Sequence, residues 1–314
     1  MRRPRVSGSF RPARLDLTAA LTYDDPLVRT RTYQLSLVKV DDLTLAGYSV
    51  AGEESVVIVP ELDVVFDIGK CPREALPINH VLLSHGHMDH AAGVAYYFSQ
   101  RDFQGIADGV VLAARSLVEP LERLMEAVAG VEGHSSPHRF VGMAHGEDYE
   151  IRRSLLARAF STQHLGNSLG FSVIEVRHKL KEEFADRTGP QLVALKKRGV
   201  EITRRVELPL VAYLGDTAKA NYSDLPYVRG AKTLLIECTF FDPEHVGRAR
   251  AGRHLHVADL PEVLEGTENQ RIIITHLTRR TNLAEARRIL KKALPKETYE
   301  RISFLMSWRH VQEE

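Results

Sequence analysis

Val81-Leu-Leu-Ser-His-Gly-His-Met-Asp-His90 is the stretch that decides the fold of this 314-residue chain. Its three apolar residues predict the end of a buried strand, the residues from His85 to His90 predict a loop, and a helix is predicted to start at Ala91. Three imidazoles and one carboxylate lie in that loop. Such a group at a strand end is typical of a hydrolytic zinc site, because neutral imidazole binds zinc and a carboxylate binds metal or orients water.

The composition indicates a globular protein, with 44% hydrophobic and 26% charged residues. The formal net charge of +1 neither requires nor excludes a nucleic-acid partner. The two cysteines, Cys71 and Cys238, are too few for a disulfide framework and favour a reduced, cytoplasmic protein. No apolar run approaches the ~20 residues that span a bilayer, and no apolar signal core follows Met1, so neither a membrane partner nor secretion is predicted.

Two regions are predicted. Residues 1–30 form a basic N-terminal arm, with five arginines before the first acid at Asp16. A flexible solvated end is the favoured interpretation, and an RNA contact or a transit peptide are the alternatives. In residues 31–314 strand and helix patterns alternate, which predicts one α/β domain with layers of both. Residues 135–146 are predicted to be a loop, in which His138 and His145, like the preceding His134, lie on the surface.

Several predicted strands end at a residue that can bind metal. Asp216 follows the apolar run 208–214, His276 follows 272–274, and His164 lies between the predicted strands 154–161 and 170–176. Because strand ends meet at one edge of a sheet, we expect these side chains to join the cluster after Leu83. Five imidazoles and two carboxylates suit two zinc ions better than one. The set is His85, His87, Asp89, His90, His164, Asp216 and His276.

Asp67 ends another buried run, 64–66. It either supports a metal-bound histidine from behind or caps a turn, and the spacing does not distinguish the two.

The segment His85-Gly-His-Met-Asp-His90 resembles the HxHxDH signature of the metallo-β-lactamase fold. Further segments, in the same order, resemble the tRNase Z branch, the endonucleases that trim tRNA 3′ ends. They are His164-Leu-Gly-Asn-Ser-Leu-Gly-Phe171, Tyr213-Leu-Gly-Asp-Thr217, Ile236-Glu-Cys-Thr-Phe240, Arg253-His-Leu-His256 and Ile274-Thr-His-Leu-Thr-Arg279. The resemblance runs from about Gly47 to the C-terminal end. It is most similar to the short plant form, through Lys179-Leu-Lys-Glu-Glu-Phe184 and Lys197-Arg-Gly-Val-Glu-Ile-Thr203.

This resemblance implies a four-layer αββα sandwich, classed as α/β or, in some schemes, α+β. It also implies two Zn²⁺ per chain, with Mn²⁺ as an alternative. One ion would be bound by His85, His87 and His164, the second by Asp89, His90 and His276, and Asp216 would bridge them.

The resemblance also implies catalytic roles. Asp89 would orient the attacking hydroxide, and His254, held by Glu237, would donate a proton to the leaving 3′ oxygen. Two alternatives stay open: His256 competes for the acid role, and Glu237 is equally typical of a structural acid at a strand end.

The implied activity is hydrolysis of precursor tRNA beyond its mature 3′ end by a homodimer. Arg279, Arg280, Lys179 and Lys181 are candidates for RNA phosphate contacts. Bacterial members carry a Gly/Pro-rich arm in the interval between His164 and Asp216. That interval is poor in Gly and Pro here, so the arm is expected to be short or absent. The alternatives are a small-molecule metallo-hydrolase of the same fold, acting on a phosphodiester or thioester, and a non-catalytic RNA-binding or scaffold protein.

Overall fold

Each half of the chain forms its own sheet in the computed structural model, which describes residues 35–107 and 109–305. The predicted N-terminal arm, residues 1–30, lies outside this part. The first sheet contains, in spatial order, β1 (Ser36–Val40), β2 (Leu43–Val50), β3 (Glu54–Val59), β4 (Val64–Phe66), β5 (His80–Leu82), β6 (Val110–Ala114) and β7 (Phe140–Met143). The second contains β8 (Asp148–Arg152), β9 (Leu155–Ser161), β10 (Leu169–Leu180), β11 (Thr203–Tyr213), β12 (Thr233–Glu237), β13 (Arg271–Thr275) and β14 (Ile302–Phe304), also adjacent in sequence order.

Both sheets change from antiparallel to parallel pairing part of the way across. Strands β1 to β4 pair antiparallel and β4 to β7 parallel. Strands β8 to β11 pair antiparallel and β11 to β14 parallel. The carboxyl ends of parallel strands lie at one edge of a sheet, so β4, β5, β11, β12 and β13 all deliver the residue that follows them to the same region.

Most of the helices lie in crossover connections between parallel strands. The helices are α1 (Met88–Ala91), α2 (Val94–Phe103), α3 (Arg115–Glu132), α4 (Gly189–Lys197), α5 (Pro226–Arg229), α6 (Val246–Gly252), α7 (Leu260–Val263), α8 (Leu283–Ala293) and α9 (Lys296–Tyr299). None of the helices within the described ranges is long and apolar enough to cross a membrane. Cys71 and Cys238 are both buried and free.

The strands divide their side chains between two hydrophobic layers. One cluster, which includes Phe66, Leu112, Phe171 and Ile273, contains inward-facing residues of both sheets and fills the space between them. The other takes the alternate strand residues, such as Ile58 beside Val57, together with the apolar faces of the helices. This alternation follows from the two-residue period of a strand. The result is the four-layer αββα sandwich that the sequence predicts.

Two local predictions are wrong. Residues 140–143, expected to lie in a loop, form β7, because Phe140 to Met143 pair in parallel with Val111 to Ala114 of β6. The helix expected from Ala91 begins instead with α1 at Met88, so Asp89 and His90 are helical. The extended His87 precedes it (φ −65°, ψ 147°), and an acid in the first turn of a helix is favoured by the helix dipole.

The interval between His164 and Asp216, in which a Gly/Pro-rich arm was expected to be short or absent, contains a long β-hairpin. Strands β10 and β11 stay paired as far as Leu180 and Thr203, well beyond Glu175, where β9 stops pairing with β10. Helix α4 lies in the connection, after a Thr188 capping box. We call residues 176–206 the hairpin arm. It is built from β-pairing and a helix rather than from Gly and Pro, so composition alone does not predict it.

Candidate metal centre

The seven predicted metal ligands meet where strand ends of the two sheets face each other. His85, His87, Asp89 and His90 follow β5 of the first sheet. His164 follows β9, Asp216 follows β11 and His276 follows β13 of the second sheet. Their ligand atoms fall into a group from His85, His87, His164 and Asp216 and a group from Asp89, His90 and His276, each within 4.8 Å. These groups have the same members as the two predicted sets, with Asp216 next to both.

Short contacts run within each group, and Asp216 connects the two groups. His87 Nδ1 lies 3.0 Å from His85 Nε2 and 3.2 Å from His164 Nε2. His90 Nε2 lies 3.4 Å from His276 Nε2, and Asp216 Oδ2 lies 3.3 Å from each of them. Asp216 Oδ2 is also 3.7 Å from His85 Nε2, so this carboxylate faces both sets of imidazoles.

Four imidazoles direct Nδ1 outward to an acceptor. His90 donates to Asp67 Oδ2 at 2.7 Å and His164 to the carbonyl oxygen of Arg253 at 3.1 Å. His85 donates to Ser84 Oγ and His276 to Thr239 Oγ1, both at 3.0 Å, since each hydroxyl donates onward to a carboxylate. When these rings are neutral, as metal binding requires, each Nε2 presents a lone pair to the centre. Facing lone pairs repel unless a cation lies between them, so this donor set fits a metal.

Burial supports the same conclusion. His85 is fully buried, and desolvation with the adjacent charge of His90 lowers the pKa of His85 to about 2, which leaves its imidazole neutral. Oδ1 of Asp216 is buried and has no hydrogen-bond partner within the described part of the chain. Although burial alone opposes ionisation, His276 and His90 hold the pKa of Asp216 well below its usual range. An ionised buried carboxylate with an unpaired oxygen is what a bridging metal ligand would be.

Gly215 sets the approach of Asp216. Its φ is +62°, and an added Cβ would lie 2.7 Å from the Cβ of Ser84. Any other residue would push β11 away from the loop after β5. Glycine therefore lets the two sheets bring Asp216 and His85 together.

Asp67 supports His90, a candidate metal ligand, and does not cap a turn. Besides His90 Nδ1, its carboxylate accepts the Ser84 amide at 2.7 Å, the Ser84 hydroxyl at 2.8 Å and the Tyr213 hydroxyl at 2.6 Å. Tyr213 belongs to the second sheet and Asp67 to the first, so this network joins the two sheets directly behind the metal centre. Ser84 and Tyr213 were not predicted to act here, and no local pattern indicates their contacts.

The turn between β2 and β3 holds Asp89. The amide of Gly52 donates to Asp89 Oδ2 at 2.8 Å, and His276 Nε2 lies 3.4 Å from the same oxygen. Burial raises the pKa of Asp89, but the His276 contact and the charge of His90 outweigh it and lower the pKa. The Ser49 hydroxyl accepts the amide of His276 at 2.9 Å, which stabilises the left-handed backbone of His276 (φ 56°).

His254 and Glu237 form a pair at the rim of the centre. His254 Nδ1 donates to Oε1 of the fully buried Glu237 at 2.9 Å, and the His254 ring stacks on His276 with centroids 5.1 Å apart. Burial alone would lower the pKa of His254, but Glu237 raises it, which favours a protonated imidazole. Both ring nitrogens of His256 are engaged: Nε2 contacts the Asp242 carbonyl at 3.0 Å and Nδ1 accepts the Ala258 amide at 3.1 Å.

The predicted RNA-binding residues lie in two places. Arg279 is exposed and paired with Glu53, next to the turn that holds Asp89, and Arg280 follows it. Lys179 and Lys181 lie in the hairpin arm, far from the metal centre. His134 and His145 are exposed as predicted, whereas His138 is half-buried and contacts Glu122 at 2.9 Å.

Comparison with known proteins identifies the family. A model described as a beta-lactamase superfamily domain matches residues 63–277. The tRNase Z TRZ1 of Arabidopsis thaliana is 32% identical over 251 residues, covering 79% of this chain and 90% of that protein. The chloroplastic tRNase Z TRZ2 of the same plant is 32% identical over 258 residues, covering 81% of this chain and 73% of that protein.

Two solved structures share the fold. The short form of human tRNase Z has a TM-score of 0.55 at 14% identity, covering 83% of this chain and 95% of that one. YhfI of Bacillus subtilis, a metallo-beta-lactamase fold protein, has a TM-score of 0.58 at 13% identity, covering 83% and 94%. The chain therefore belongs to the tRNase Z family of the beta-lactamase superfamily.

Proposed function

We propose that this protein is a metal-dependent endoribonuclease that removes the 3′ trailer of precursor tRNA and leaves a 3′ hydroxyl. One observation carries the proposal: a hydrogen-bonded pair, His254 and Glu237, lies against a cluster of seven inward-facing candidate metal ligands. Three curated plant relatives that match are named tRNase Z or nuclear ribonuclease Z.

We propose two zinc ions per chain, with manganese as a substitute. His85, His87 and His164 would hold one, Asp89, His90 and His276 the other, and Asp216 both, as in the two groups above. When bound, two such ions supply a hydroxide nucleophile near neutral pH and stabilise negative charge on the phosphate.

The residues around the metals would handle the protons. Asp89, ionised and fixed by the Gly52 amide, would accept a hydrogen bond from the attacking water and orient it toward phosphorus. His254, kept protonated by Glu237, would donate its Nε2 proton to the leaving 3′ oxygen. His256 is the weaker candidate for this role, because both of its ring nitrogens already have partners.

The hairpin arm would bind the body of the tRNA. Residues 176–206 contain nine Lys or Arg and four Asp or Glu, a net charge of +5 in a chain whose total is +1. Leu169, at the start of β10, contacts Ser84 beside the candidate ligands. Lys179 lies ten residues further along β10, so it is about 30 Å from those ligands at ~3.3 Å per residue. That distance excludes contact with the scissile phosphate and suits phosphates further along the substrate.

Arg279 and Arg280 would contact phosphates close to the scissile bond. Arg279 is held by Glu53, one residue from Gly52, whose amide reaches Asp89. This pairing fixes the guanidinium beside the metal centre while leaving it half exposed.

We further propose a homodimer. Helices α2 and α3 expose a row of apolar side chains at seven-residue spacing, Tyr96 and Phe103 on one and Leu124 and Val131 on the other. Phe103 is 85% and Val131 89% exposed, which is typical of a surface that a second subunit covers. Sedimentation of the wild type and of Phe103→Glu tests this: a dimer that the substitution dissociates is expected, and a monomeric wild type contradicts it.

Cleavage of a 3′-extended precursor tRNA tests the activity. The wild type, loaded with zinc or manganese, is expected to cut beyond the mature 3′ end and leave a 3′ hydroxyl, and Asp216→Ala is expected to be inactive. A wild type that carries two metals per chain and cleaves no precursor would overturn the proposal.

A further inference from the structure

A cavity opens beside the candidate metal centre. It has a volume of about 730 Å³ and lies between the segment 239–248 and the segment 278–289. Its wall includes Thr239, whose hydroxyl contacts His276 Nδ1 at 3.0 Å. The cavity is therefore adjacent to the candidate metal ligands. None of the seven candidate ligands lines it. Its size is that of a site for a small organic group.

One wall of the cavity is aromatic. The Phe240 ring lies 5.8 Å from the His245 ring and 6.3 Å from the His254 ring, measured between centroids. The next residue, Phe241, is buried in the core, whereas Phe240 is half-buried and belongs to neither hydrophobic cluster of the described residues. Core packing therefore does not account for the Phe240 ring, and its position suits stacking against a planar group.

The cavity is also cationic. Arg248 and Arg280 line it, both are exposed, and within residues 35–107 and 109–305 neither forms an ion pair with a carboxylate. Of the two acids in the wall, Glu285 is paired with Arg288 and Asp242 accepts the Glu244 amide. Two guanidinium groups that form no ion pair with a carboxylate suit a phosphate group.

We propose that this cavity is a nucleotide subsite for the residue that keeps the 3′ hydroxyl after cleavage, with its base stacked on Phe240 and its 5′ phosphate facing Arg248 and Arg280. The assignment of that nucleotide rests on the proposed function. His254 would protonate the leaving 3′ oxygen, and the Phe240 ring is the aromatic wall next to His254. The nucleotide attached to that oxygen is therefore the one whose base reaches the cavity.

A base-deletion experiment tests the subsite. Two precursor RNAs are compared, one intact and one abasic at the nucleotide that carries the leaving oxygen, with the wild type, Phe240→Ala and Phe240→Tyr. Stacking on one aromatic side chain predicts about a tenfold lower kcat/KM for the abasic RNA with the wild type and with Phe240→Tyr. With Phe240→Ala the two RNAs should differ by less than about twofold, because no ring remains for the base to stack on. An RNA that is abasic three nucleotides upstream is the matched control. Its kcat/KM should fall by the same factor with all three proteins.

If removing the base at the nucleotide that carries the leaving oxygen lowers kcat/KM equally with the wild type and with Phe240→Ala, the subsite is overturned. The nuclease assignment would stay intact. Equilibrium binding of the same two RNAs tests base stacking on Phe240 independently of cleavage. If no RNA is cleaved but the intact RNA binds about tenfold more tightly than the abasic one, and only when residue 240 is aromatic, base stacking on Phe240 stands and the nuclease assignment fails.

Discussion

His90 donates its Nδ1 proton to Oδ2 of Asp67 at 2.7 Å, and both side chains are fully buried. This contact fixes the ring orientation and leaves Nε2 facing the other candidate ligands. Hydrogen bonds of this kind from behind a ligand typically change metal affinity by about 10–100-fold.

Asp67→Asn is therefore expected to weaken zinc binding by about 10–100-fold, because the amide cannot act as a charged acceptor for His90. Competition with a fluorescent chelator measures the change. Asp63→Asn is the matched control, since that carboxylate contacts Asn79 and His80 and no ligand. Equal zinc affinity in the wild type and Asp67→Asn would mean that Asp67 is structural only.

Asp216→Ala is expected to lower both metal content and cleavage, because the two groups of ligands share this carboxylate. Metal analysis after zinc-replete purification should give clearly fewer than two ions per chain. Retention of both ions would show that the bridging assignment is wrong.

His254→Ala is expected to reduce kcat by about 10²–10⁴-fold while both metals stay bound, as removal of a general acid does. His256→Ala is the matched comparison. Its ring caps the turn at 257–259, so it should lose about 1 kcal/mol of stability and little kcat. The opposite result, an active His254→Ala and an inactive His256→Ala, would move the acid role to His256.

Replacing Lys196, Lys197 and Arg198 with alanine should raise KM for precursor tRNA more than it lowers kcat, since the hairpin arm is remote from the metals. The dependence of log Kd on log salt should become shallower by ~1 for each phosphate that the arm no longer neutralises. Lys291 and Lys292 are exposed on α8 and serve as the control pair. An unchanged salt slope would show that the hairpin arm does not bind RNA.

Arg101→Met is expected to destabilise the fold by about 3 kcal/mol in urea denaturation, because buried acceptors lose their donor. The guanidinium is buried, lies 5.1 Å from the Tyr97 ring centroid and bonds to Leu76 O, Ile78 O, Asn79 Oδ1 and Ala107 O. Arg123→Met is the control, since its pair with Glu119 is exposed and contributes little. If Arg101→Met lowers the free energy of unfolding no more than Arg123→Met does, Arg101 does not stabilise the fold through these hydrogen bonds.

The site was predictable from the sequence where its signal was local. An apolar run followed within two residues by His, Asp or Glu marks the end of β5, β11, β12 or β13, and the topology brings those ends together. The helix at Met88 and the strand at 140–143 were missed, because the first is a single turn and the second exists through pairing with β6.

The supporting contacts were not predictable for a different reason. Tyr213 and Asp67 are 146 residues apart, and the Gly52 amide and Asp89 are 37 apart, so no spacing rule indicates either contact. The hairpin arm was missed because its strands pair across the intervening segment 181–202.

The division of the ligands between the two sheets has a thermodynamic consequence. Residues before Ala144 supply four of the seven ligands and form the first sheet, and residues after Glu147 supply the other three and form the second. A bound ion would therefore connect the two halves of the polypeptide, and loading the metals and docking the halves become linked equilibria. The melting temperature would then depend on the free concentration of that metal, and chelation would weaken the contact between the two sheets before it unfolds either one.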